Sequence, residues 1–89
     1  AISLLQEAVK YLPNDYETYQ LLGVAHGQAG ETQKAIEFFK KEIELAPKNA
    51  TAYYNLGIAQ KHVGDEAGAH ASFEMAKSLD PNLPQLKDR

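Results

Sequence analysis

The chain has 89 residues, apolar at 44% of positions and charged at 24%, with no cysteine. That is enough for one small domain with a single core, and the balance places the chain among globular proteins and away from disordered or collagen-like ones. Nine basic against twelve acidic residues leave a formal charge of -3, and the lysines are dispersed rather than gathered into a stripe that could track phosphates, so nucleic acid is not an expected partner. Without cysteine there is no disulfide framework, thiolate zinc site or cysteine nucleophile, and the compartment stays open. The longest apolar runs, such as Leu21 to Ala25, fall far short of the roughly 20 residues that a membrane-spanning helix needs.

Three prolines, Pro13, Pro47 and Pro81, are spaced 34 residues apart, and a fixed period of this size is the mark of a repeat architecture. Laying residues 16–49 over 50–83 without a gap pairs Tyr19 with Tyr53, Leu22 with Leu56, Gly23 with Gly57, Gly30 with Gly64, Ala35 with Ala69 and Phe39 with Phe73. Residues 1–15 match the second half of the same unit, with Ala1, Leu5 and Tyr11 standing where Ala35, Phe39 and Leu45 stand. The chain therefore divides into the second helix of a truncated repeat at 1–15, complete repeats at 16–49 and 50–83, and a tail at 84–89.

Apolar positions recur at helical spacing, which predicts helices at about 1–12, 16–29, 32–45, 50–63 and 66–79. The first has no partner helix within the chain for the face holding Ala1, Leu4, Leu5 and Ala8, so the cover expected is either the missing helix of the same unit in a longer parent or, in the isolated chain, a second copy in a homodimer. Asp15 stands where an N-cap is wanted for the second helix, and Asn49 does so for the fourth. Gly30 and Gly64 break the paired helices by taking a left-handed conformation, and Glu31 and Asp65 follow where an acid favours the amide dipoles of the next helix. The third and fifth helices stop before Ala46-Pro47 and Asp80-Pro81, since proline lacks the donor needed to continue. His70 and Lys77 of the fifth helix replace Ile36 and Ile43 of the third, a polar face suited to water, after which no further ordinary repeat is expected.

The residues that carry chemistry elsewhere form no constellation. His26, His62 and His70 fall on three different predicted helices with no partner histidine or carboxylate at ligand spacing, which reads as packing or surface placement. Ser3, Ser72 and Ser78 lack a strand-turn-helix elbow, and Glu42 and Glu44 point to different helix faces. The expectation is a protein that is not an enzyme and carries no metal or cofactor.

Leu22, Gly23, Gly30, Ala35, Phe39 and Pro47, repeated as Leu56, Gly57, Gly64, Ala69, Phe73 and Pro81, make the chain resemble the tetratricopeptide repeat family. The resemblance covers nearly the whole sequence. It implies an all-α fold, a right-handed α-solenoid of antiparallel helix pairs about two and a half repeats long. Tyrosine stands at Tyr19 and Tyr53 where the family has Trp. The family's small residue at the second close helix crossing is kept as Ala8 and Ala76 but is Glu42 in the middle unit, which implies a local opening or a side chain that snorkels outward.

The resemblance also places a concave groove along the first helix of each unit. It would be formed by Gln20, Val24 and Gln28 from one unit and by Tyr54, Asn55, Ile58, Lys61 and His62 from the next. Val24, Tyr54 and Ile58 would make an apolar strip flanked by groups able to hydrogen-bond a peptide main chain. The Lys and Asn with which some members grip a terminal carboxylate are here Gln20 and Val24, so that clamp is absent. The implied function is a scaffold for a peptide or protein segment. The alternatives are a structural segment that associates through its exposed repeat ends, or a regulatory appendage of a larger enzyme.

Overall fold

Helix starts and stops follow from a few side chains that satisfy orphaned backbone groups, and the computed structural model, which describes residues 15–82, places them within a residue of the expected positions. The helices are α1 (Tyr16–Gln28), α2 (Thr32–Leu45), α3 (Ala50–His62) and α4 (Glu66–Leu79). No strand occurs among the described residues. The helix expected over 1–12, the dimer contact assigned to it and the tail at 84–89 lie outside the described residues.

The first and third helices end one residue early for an identifiable reason. Gly30 and Gly64 have φ of +85° and +87°, and the reversal brings the Glu31 N–H onto the His26 carbonyl at 2.8 Å and the Asp65 N–H onto that of Gln60 at 2.9 Å. These long-span bonds close the helix end and leave Ala29 and Val63 as caps.

The N-termini are capped unequally. Asp15 Oδ1 accepts from the Glu17 N–H at 3.1 Å, Asn49 Oδ1 from the Thr51 N–H at 3.0 Å, and Asp65 Oδ1 from the Gly68 N–H at 2.9 Å. Glu31, expected at the start of α2 for its charge against the amide dipoles, makes no side-chain cap bond. Its carboxylate is turned back onto α1 instead.

Each helix packs chiefly on its neighbour in the chain, α1 on α2, α2 on α3 and α3 on α4, with a minor contact between α1 and α3. Close approach within each pair depends on glycine. A Cβ on Gly23 would stand 2.5 Å from the Phe39 ring, and one on Gly57 2.7 Å from the Phe73 ring. Between the pairs, Ala35, Ile36 and Phe39 of α2 meet Leu56 and Ala59 of α3, with Ile43 packed against them. Full burial of side chains such as Phe39 and Leu56 stabilises by about 1.5–3 kcal/mol each.

The expected opening at Glu42 does not occur. Its side chain is fully buried, with 0% exposure, and Oε2 accepts a 3.3 Å hydrogen bond from Asn49 Nδ2. The side chain turns inward because the α3 cap residue offers it a donor at the foot of the helix crossing. Among the described residues nothing donates to Oε1, and burial pushes the carboxyl up to about 7.

Candidate functional site

The groove is built from the repeat itself, because Val24 and Ile58 are counterparts 34 residues apart on α1 and α3 and therefore stand side by side. Both are large apolar residues left open, 37% and 41% exposed. They border a cleft of about 220 Å³ whose walls are Gly23, Gly27 and Gln28 of α1 and Asn55, Ala59 and His62 of α3. Its floor is supplied by α2, through Thr32, Ala35 and Phe39. Past Ile58 and His62 a second hollow continues to Lys61 and Phe73.

Five of the eight residues expected in the groove therefore line the main cleft: Val24, Gln28, Asn55, Ile58 and His62. Lys61 borders the continuation. Gln20 is partly exposed but lines neither hollow. Tyr54 departs from its expected role as an exposed anchor, since it is only 7% exposed and its ring lies 5.6 Å from that of Phe73 at 49°. The ring finds an aromatic partner on α4, and pairing two rings out of water outweighs leaving one in the groove. The apolar strip is thus Val24 and Ile58 without the tyrosine.

The α2 floor was not legible as part of the groove, because Ala35 and Phe39 have the spacing of core residues and are core residues. Only the packing reveals that one side of Phe39 also faces the cleft. Gly27 has no side chain to mark it as a groove residue, and its significance needed the space around it. A Cβ there would meet nothing nearer than the Ala35 Cβ at 3.7 Å, an ordinary contact.

A second polar feature lies at the end of α1. His26, 3% exposed, places Nδ1 2.7 Å from Glu31 Oε1 and stacks on Phe38 with ring centroids 5.1 Å apart. The sequence shows no partner at metal-ligand spacing, and this single hydrogen-bonded carboxylate lies outside that pattern. The five-residue separation bridges a helix end, where the left-handed Gly30 folds the chain back and carries Glu31 over His26. The hydrogen bond from His26, aided by Lys34 at 3.7 Å, holds the Glu31 carboxyl below its ordinary range. At the equivalent place in the second unit, Gln60 Oε1 accepts from Ser72 Oγ at 2.6 Å. Both pairs tie the first helix of a unit to the second half of that unit, and neither residue pair lines the cleft.

Two antiparallel helix pairs, stacked through neighbour contacts and leaving a shallow cleft on one side, define a helical repeat protein of the solenoid class. A TPR repeat pattern matches residues 27–64 and a tetratricopeptide repeat pattern residues 50–83. The uncharacterized protein MJ0572 of Methanocaldococcus jannaschii is 32% identical over 71 residues, which cover 80% of this chain and 83% of that one. The crystal structure of YrrB, described as a TPR protein with an unusual peptide-binding site, matches with a TM-score of 0.93 and 25% identity over 99% of this chain and 45% of that one. The chain belongs to the tetratricopeptide repeat family, whose members generally mediate protein–protein interactions. It spans a small share of many relatives: the CTR9 homolog of Arabidopsis thaliana is 31% identical over 75 residues, 83% of this chain but 7% of that protein.

Proposed function

We propose that the chain is an interaction scaffold, with repeats at 16–49 and 50–83, that seats a peptide or protein segment in the cleft between α1 and α3. The observation that carries this reading is the exposed Val24 and Ile58 pair set over a cleft whose rim, Gln28, Asn55 and His62, offers hydrogen-bonding groups. Two open apolar side chains next to such groups suit a segment that buries one or two side chains while its main chain is hydrogen-bonded. The peptide-binding site named for YrrB supports the same class of ligand. In this reading the chain acts without catalysis or cofactor.

The test is an unbiased pull-down with the 89-residue chain as bait, followed by titration of the strongest hit against variants. Ile58→Ala is expected to weaken binding by more than about 1 kcal/mol and Gln28→Ala by less. Tyr54→Ala is a poor probe of the groove because it removes a core ring, at a cost of about 3–5 kcal/mol in stability. If Ile58→Glu folds normally and binds that partner unchanged, the groove reading fails and the exposed repeat ends become the interface to examine.

A further inference from the structure

Gly27 is the feature of the groove that packing does not explain. Gly23 and Gly57 are required because any side chain there would strike a phenylalanine ring, whereas a Cβ on Gly27 would make only one ordinary contact, at 3.7 Å. A glycine inside a helix costs about 1 kcal/mol against alanine, and the 34-residue counterpart of Gly27 is Lys61, not glycine. What the missing side chain does is open the cleft wall beside Val24 and opposite Ile58.

The charge at the groove is equally one-sided. The chain carries twelve acidic residues, yet neither the cleft nor its continuation is lined by a carboxylate, and the ionisable groups that line them are Lys61 and His62. Lys61 is in no ion pair among the described residues. Glu66 and Glu74 border the hollow on the other side of Lys61, together with His70 and Lys77, and neither carboxylate pairs with Lys61. The helix dipole accounts for bases in the last turn of α3. It does not account for the absence of carboxylates along the walls.

We infer that the occupant is an acidic segment in which an apolar side chain enters the notch opened by Gly27 and a neighbouring carboxylate meets Lys61 and His62. The inference rests on the groove reading given above and adds the chemistry of the ligand to it. The two halves of the recognition are independent. The notch selects an aliphatic side chain by shape, and the basic end selects against lysine or arginine beside it by repulsion.

Random heptapeptides displayed on phage and selected on the immobilised 89-residue chain supply the probe, and the enriched peptide is then titrated by fluorescence anisotropy. The expected consensus places Asp or Glu within two positions of an aliphatic residue. Lys61→Glu is expected to weaken the peptide roughly tenfold, and raising salt to weaken it further in the wild type. Gly27→Leu, which fills the notch at an exposed position, is expected to weaken it by a similar factor, with circular dichroism checking that the helices of each variant are intact. A peptide that is lost on Ile58→Glu but shows no acidic preference and no response to Lys61→Glu overturns this inference and leaves the groove reading standing. A peptide that survives Ile58→Glu overturns both. No enrichment above the uncoated support also counts against the acidic segment.

Discussion

Glu42 holds a carboxyl where its sequence position calls for a methyl, and its burial has a measurable consequence. Its folded-state value of about 7 lies above the ordinary 4.5, so between those values the folded chain keeps a proton that the unfolded chain has released. Stability from this group is therefore highest below about pH 4.5, declines as pH rises to 7 and stays at its floor above that. The size of the decline is about 3 kcal/mol. Glu31 acts in the opposite sense: its lowered value contributes stability that is present above the ordinary carboxylate range and lost in acid. Glu42→Gln, which keeps an acceptor for Asn49, is expected to stabilise the chain by about 1–3 kcal/mol at pH 8 and to be nearly neutral at pH 4.5. Urea unfolding midpoints at the two pH values check this, and a variant that declines with pH as steeply as the wild type would refute it. The two α1 glycines make a second pair of residue-scale expectations. Gly27→Ala should raise stability by about 1 kcal/mol, and Gly23→Ala should lower it by about 1–3 kcal/mol because the new methyl meets the Phe39 ring. Thermal melts of the two variants run side by side decide it.

At the scale of the element, the caps determine where each helix begins, and Asn49 links two elements at once. Its Oδ1 accepts from Thr51 and Ala52 of α3 while its Nδ2 donates to Glu42 of α2. Asn49→Ala is expected to cost about 1–2 kcal/mol through the lost cap, and more at pH 8 than at pH 4.5, because the ionised Glu42 then loses the donor that faces it. A double-mutant cycle with Glu42→Gln at pH 8 measures that coupling; additive effects would show that the two residues act separately. The helix ends were legible because Gly30, Gly64, Pro47 and Pro81 act through local backbone geometry. The role of Glu31 was not legible in the same way. A carboxylate at a helix start can cap its own helix or reach back to the previous one, and the choice depends on where His26 stands once α1 and α2 have docked.

For the whole molecule, neighbour-only packing means that each added pair covers the exposed face of the last. Ile36 and Ile43 of α2 are covered in this way by α3, whereas their counterparts His70 and Lys77 on α4 are exposed. Replacing both with isoleucine would leave about 1.5–3 kcal/mol of unburied apolar side chain at each position. The double variant is therefore expected to self-associate, and sedimentation equilibrium over a range of concentrations would detect it. A strictly monomeric double variant would mean that this face is already covered.

The sequence by itself determined the repeat period, the helix boundaries, the family and the stripe of residues from which a groove could be made. These depend on local rules: helical spacing of apolar residues, proline and glycine at helix ends, and small residues where helices cross. Only the tertiary structure decided which side chains on that stripe are free. Tyr54 is drawn onto Phe73, Phe39 serves as both core and groove floor, and Glu42 turns inward to Asn49. In each case the deciding contact joins residues on different helices, and a side chain that can face either way takes the side where a partner from another element is within reach.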